Sequence, residues 1–157
     1  PGDDPKKRGI INSIYIDTET LAVHNDELQA MYKQVTANEQ MWEEYNCENA
    51  EYIITAFGTV ARIAKSAINE LKEKGIHVGL VRPITVWPFP YGAVAKAVNQ
   101  PSVKAVLDVE LNEGQMLEDV KLAVCGTKPI DFTGHCGSQM PTTDEIVEKI
   151  LSMKEGK

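Results

Sequence analysis

Glu110, Asn112 and Gln115 gather a carboxylate and two carboxamides around Gly114 in one short stretch of the chain. Such a carboxylate could act as a general base, yet no His, Ser or Cys is spaced to complete a nucleophilic relay. The same residue types also satisfy backbone donors where a loop enters a helix, so capping and base catalysis both stand as readings. Arg82 is followed by Pro83, which keeps it on extended backbone. Its guanidinium could hold a phosphate or carboxylate, or form an ion pair with Glu110 at the end of a neighbouring strand. Gly58 and Thr59 turn an apolar run into a helix whose free N–H groups could bind an anion. No GxGxxG or GK[ST] pattern accompanies them, and a tight turn alone would also require the glycine. His135 and Cys136 lie between Gly134 and Gly137, but one His and one Cys are too few ligands for zinc. His24 and His77 read as structural or solvated residues. Trp87-Pro88-Phe89-Pro90 makes a stiff apolar loop that could plug a core or touch a partner; rigid aromatics favour the contact.

The elements that must position these residues follow from periodicity. Ile10 to Ile16 is a short β-prone stretch. Leu28, Met31, Tyr32, Val35, Trp42 and Tyr45 recur at helical spacing and predict a long helix, with Asn25 or Asp26 as its N-cap. A buried strand is expected from Tyr52 to Phe57, then a helix with Val60, Ile63, Ala64, Ala67 and Leu71 on one face, stopped by Lys74-Gly75. Further strands are expected at Ile76–Val81, Val103–Val109 and Pro129–Phe132. Between them fall a short helix opened by Pro88, Phe89 and Pro90 and running to Val98, and another from Gly114 to Val124. Thr142-Thr143-Asp144-Glu145 is a capping box ahead of a last helix. Strands and helices alternating in this way imply βαβ units, hence a three-layer α/β/α sandwich on a mostly parallel sheet, with an N-terminal helical extension. Residues 1–50 read as linker, short strand and long helix, and 51–157 as the α/β domain. In an open parallel sheet, functional groups collect at the carboxyl ends of the strands, where Gly58-Thr59, Arg82-Pro83, Glu110–Gln115 and Gly134-His135 fall.

Composition narrows the function. The chain has 157 residues, 43% hydrophobic and 25% charged, as in an ordinary globular domain. A net charge of −7 argues against nucleic-acid and anionic-lipid partners. No apolar run approaches a membrane span. Cys47, Cys125 and Cys136 form no CxxC pair, so no disulfide framework, zinc site or iron–sulfur site is written locally, and a reducing cytoplasm is the expected setting. Pro1-Gly2-Asp3-Asp4-Pro5-Lys6-Lys7-Arg8 is a polar, turn-rich opening of the kind expected at a linker, as if the chain were cut from something longer.

Four ordered strings carry a family resemblance. Ala50–Arg62, including Gly58, Thr59 and Arg62, is similar to the start of the transketolase C-terminal-like domain of 2-oxoacid:ferredoxin oxidoreductases. Gly79–Pro90, with Arg82, Pro83 and Trp87, resembles that family's second strand and loop. Glu110–Val120, with Asn112, Gly114 and Gln115, resembles its third signature. Gly134–Gly137 and Pro141–Ile146 resemble its ending, with His135 where the family pattern implies a basic residue such as Arg. The likeness covers nearly the whole chain from about Ile10 and leans toward the alpha-type subunits of the 2-ketoisovalerate and 2-oxoglutarate enzymes.

The resemblance implies oxidative decarboxylation of a 2-oxoacid by a complex, with electrons passing to ferredoxin and the acyl group to coenzyme A. Thiamine diphosphate, magnesium and iron–sulfur clusters would carry that chemistry. The chain has no GDG…NN thiamine–magnesium signature and no cysteine cluster. The expectation is therefore that it binds none of these cofactors alone and supplies no catalytic residue. It would instead dock against the other domains and subunits of the oxidoreductase, and be inactive in isolation. An independent small-molecule or nucleotide-binding α/β module is the alternative. An in-frame thiamine pyrimidine-binding domain upstream of Pro1 would separate the two.

Overall fold

A computed structural model of the chain describes residues 14–137 and 139–156. The chain divides into two units, Pro1–Asn38 and Glu39–Lys157. The described part of the first is dominated by helix α1 (Thr18–Asn38). It begins earlier than Asn25 or Asp26 would have it, because Asp17 accepts from Thr20 N at 2.8 Å and caps the first turn. α1 buries none of its side chains. Most of the strand expected at Ile10–Ile16 lies outside the described residues, and Ile14–Ile16 carries no strand.

The expected long helix does not reach Trp42 and Tyr45. That stretch is β1 (Trp42–Tyr45), which pairs antiparallel with β3 (Val78–Pro83) in a register running from Trp42 opposite Pro83 to Tyr45 opposite Leu80. Helical spacing of these two aromatics misled because alternation also fits: Glu43 and Tyr45 are half-buried, while Trp42 and Glu44 face out. Tertiary pairing decided between the two patterns.

The remaining strands are β2 (Tyr52–Thr55), β4 (Ala105–Glu110) and β5 (Ile130–Gly134). They stand in the order β1-β3-β2-β4-β5, parallel throughout except for β1. The helices are α2 (Gly58–Glu73), α3 (Tyr91–Val98), α4 (Gln115–Val124) and α5 (Thr143–Glu155). Each lies within about three residues of its expected position.

Period-2 alternation along the strands builds two cores. Tyr52 and Ile54 of β2 join Leu80, Leu107 and Val109 under α2 and α5. Ile53 joins Val81 and Val106 under α3 and α4. Helices thus cover both faces of the sheet, which makes the unit a three-layer α/β/α sandwich with a mostly parallel sheet.

The strand order reverses between β2 and β4. β2 leads through α2 to β3 on one side, and β3 leads through α3 back to β4 on the other. That makes the crevice outside the carboxyl ends of β2 and β4 a topological switch point, where ligands and functional groups gather in such sheets.

Candidate functional site: the carboxyl ends of the strands

At the switch point, polar side chains penetrate the core. Among the described residues, Thr55, Asp108 and Glu110 are the buried polar or charged ones, at 0%, 0% and 1% exposure. Thr55 stands opposite Asp108 in register, and its Oγ1 donates to Asp108 Oδ1 at 2.6 Å. Asp108 Oδ2 has no hydrogen-bond partner among the described residues. Burial, and after it the facing carboxyl of Glu110, push Asp108 up to about 8 against the bond from Thr55.

Glu110 has a different task. Its Oε2 accepts from Met116 N and Asn112 Nδ2, and its Oε1 from Leu117 N, all at 2.9 Å. Asn112 Oδ1 accepts from Gly114 N and Gln115 N at 2.8 Å. Glu110 and Asn112 thereby fill the free amides at the start of α4, where a carboxylate also meets the favourable end of the helix dipole. Gly114 stands at the N-cap with φ +96°, a conformation that favours glycine. Gln115 is exposed.

Arg82 does not meet Glu110. β2 stands between β3 and β4, and strand parity sends Arg82 to the α2 face and Glu110 to the α4 face. Arg82 instead bonds Glu43 of β1, with Nη1 3.1 Å from Oε2. Lys65 of α2 reaches the other oxygen of Glu43 at 2.5 Å. The two cations, Lys65 first, hold the Glu43 carboxyl below its ordinary range. The sequence offered no sign of this triad, since β1 itself was read as helix.

Gly58 has φ +59°, and a Cβ there would meet nothing within 4 Å, so the turn and not a close approach demands the glycine. No side chain caps α2. Thr59 and Arg62 are exposed on its first turn. Pro83 ends β3, buried opposite Trp42. The loop that follows is tied to the start of β1: Ile84 N and Thr85 N both donate to Met41 O, and Met41 N donates to Thr85 Oγ1. Trp87 is 59% exposed, whereas Phe89 is buried. The stiff loop is thus a core plug at Phe89 and surface at Trp87.

His135 closes the row. Its backbone N–H donates to Glu110 O, and its Nε2 lies 3.3 Å from Glu145 Oε1. Glu145 is also the capping-box partner of Thr142, and those bonds, before the histidine, hold its carboxyl low. Cys136 is exposed, and a hydrogen bond to Glu113 raises its thiol. Cys47 lies elsewhere, buried, with Sγ donating to Leu80 O and its thiol pushed up by burial to about 11. Among the described residues no group of three or more His, Cys, Asp or Glu could hold a metal ion. Among the described residues, therefore, no set of side chains fits magnesium or an iron–sulfur cluster. No described helix is long and apolar enough to cross a membrane.

The structure therefore gathers Thr55, Asp108, Glu110 and Asn112 at one point, joins His135 to them through backbone, and leaves Arg82 on the opposite face. Thr55 and Asp108 escaped the sequence reading. The available signal was an acid inside the apolar run Ala105–Val109, since a buried carboxyl needs a partner. At this end of the sheet unit large apolar side chains are exposed: Met41 and Trp42 at the start of β1, Ile84, Val86 and Trp87 after β3, Tyr91 at the start of α3, Leu111 after β4 and Met140 before α5. In the sheet unit, Leu122 alone among the described large hydrophobics is exposed elsewhere.

This fold and these strand-end strings define a class. Residues 50–146 match the family model for pyruvate:ferredoxin oxidoreductase core domain II, and the chain belongs to that family. It is 34% identical over 149 residues to the ketoisovalerate oxidoreductase subunit VorB of Methanothermobacter marburgensis, a match covering 95% of this chain and 42% of that one. Among solved structures it is similar to 2-oxoglutarate:ferredoxin oxidoreductase from Magnetococcus marinus with 2-oxoglutarate, coenzyme A and succinyl-CoA bound (TM-score 0.73, 19% identity, 96% of this chain and 27% of that chain). It also resembles a split-gene transketolase described as an inactive β4 tetramer (TM-score 0.55, 16% identity, 67% and 38% of the two chains). These two likenesses show the fold: a transketolase-like α/β domain. The chain spans less than half the length of the relatives it matches.

Proposed function

We propose that this chain acts as a docking and supporting domain of a thiamine-dependent 2-oxoacid:ferredoxin oxidoreductase. The complex would oxidise a 2-oxoacid, with coenzyme A taking the acyl group and ferredoxin the electrons. The observation that carries this reading is the concentration of exposed apolar side chains on the strand-end loops, around Ile84, Trp87, Tyr91 and Leu111. Apolar patches of this kind mark contact surfaces. Glu110 and Asn112, the strongest candidates for chemistry, are committed to the start of α4, which supports a structural role for that loop.

Thiamine diphosphate, magnesium and the iron–sulfur clusters belong, in this reading, to other parts of the complex, and no step is assigned to residues here. Gly58, Thr59, Arg62, Arg82, Pro83, Trp87, Gly114, Gln115 and His135 are proposed to shape the contact face or a ligand path along it. The test is to incubate the isolated chain with thiamine diphosphate, magnesium, a 2-oxoacid, coenzyme A and an artificial electron acceptor. No turnover is expected until the companion domains and subunits are added. Turnover by the chain alone would refute the supporting role.

A further inference from the structure

Asp108 is a buried acid that the docking role leaves unexplained. It stands midway across the sheet, opposite Thr55 on β2 and Phe132 on β5. Its Oδ1 is taken by Thr55, and its Oδ2 has no donor among the described residues. Glu110, two residues further along β4 on the same face and equally buried, sets a second carboxyl beside Asp108 and raises the cost of its charge. Two carboxyls can bond each other only through a proton, because an ionised carboxylate accepts and never donates. Two carboxylates in one dry site do not both ionise.

The surroundings of the two carboxyls differ. Glu110 accepts from the N–H groups of Met116, Leu117 and Asn112 at the positive end of α4. Asp108 has one hydroxyl. The elements packed on this face add no compensating cation. α3 and α4 bury only apolar residues, among them Val94, Val98, Met116 and Val120. Lys96, Glu118 and Lys121 are exposed, and Asp119 is bonded to Tyr91. Just after β5, His135 turns its ring to Glu145, and Arg82 and Lys65 serve Glu43 on the opposite face.

We propose that a proton held on Asp108 bonds its free oxygen to the carboxyl of Glu110, and that this proton latches the loop 111–114 and the start of α4 to the sheet. Loss of the proton removes the donor between the two carboxyls and leaves Asp108 charged in the switch-point crevice. Glu110 then swings away from Asp108, and the amides of Met116 and Leu117 lose their acceptor. The inference concerns the isolated fold and stands or falls separately from the docking role.

Carboxyl ¹³C NMR of the full 157-residue chain, titrated from mildly acidic to mildly alkaline pH, tests it directly. One aspartate carboxyl is expected to titrate at about 8, far above its neighbours, with the hydrogen-exchange protection of Met116 and Leu117 falling in the same step. Asp108→Asn, whose amide can donate to Glu110 without titrating, should abolish that step and keep both amides protected throughout. Thr55→Val, which removes the one bond favouring ionised Asp108, should move the step to higher pH. The wild-type titration needs no variant to fold. If every aspartate is ionised by mildly acidic pH, or if the two amides ignore the step, the latch is wrong.

Discussion

At Gly79 the chain between β1 and β2 crosses β3 so closely that a Cβ would lie 2.7 Å from Cys47 Cα and 3.0 Å from Asn46 O. Both neighbours are backbone, so neither can step aside as a side chain would. Gly79→Ala should therefore destabilise by about 1–3 kcal/mol, the usual cost of overpacking, measured as a lower urea midpoint at unchanged slope. Asp108 makes a pH prediction at the same scale. Its folded pKa, about 8, lies above its unfolded value, so the native state holds a proton that the unfolded chain gives up. Its contribution to stability is complete below the unfolded value and is lost as pH rises through about 8. Wild type should lose stability relative to Asp108→Asn across that window with a slope of about one proton, followed by chemical denaturation of both proteins. Parallel profiles would deny the shifted acid. Residue roles were the least legible part of the sequence. Glu110 stood out by type, but whether it serves as base, ion-pair partner or cap depends on strand order and face. Asp108 was hidden by its apolar neighbours.

Elements were more legible where their ends are chemically marked. The capping box starts α5 as read: Thr142 Oγ1 accepts from Glu145 N at 3.2 Å, and Glu145 Oε2 accepts from Thr142 N at 2.7 Å. Thr142→Ala should cost about 1 kcal/mol, seen as a lower thermal midpoint. Lys74-Gly75 likewise stops α2, with Gly75 at φ +74°. The chain from Asn25 to Tyr45 was misread at both ends. Asp17 caps α1 more than two turns ahead of the residues expected to, and a helical reading of Trp42 and Tyr45 ignored that alternate residues there face α2. β1 is short, and its pairing with β3 comes from residues far along the chain, which local periodicity does not register.

For the whole molecule, alternating strand and helix patterns were enough for a three-layer sandwich, because a parallel sheet must bury both faces. Strand order was not legible: nothing local says that β2, and not β3, stands beside β4. The order matters, since it places the switch point between Thr55 and Asp108 and parts Arg82 from Glu110. The family followed from four ordered strings, and the structure adds the face they build, with exposed apolar side chains around a buried polar core. The central claim is that this face docks the chain into a larger oxidoreductase. It is tested most directly by replacing Trp87 with Glu in the assembled complex and measuring assembly by analytical ultracentrifugation. Trp87 is 59% exposed, so the fold should tolerate the change, checked by an unaltered far-UV circular dichroism spectrum. Loss of a buried aromatic anchor should weaken association about thirtyfold or more. Assembly indistinguishable from wild type would contradict the account.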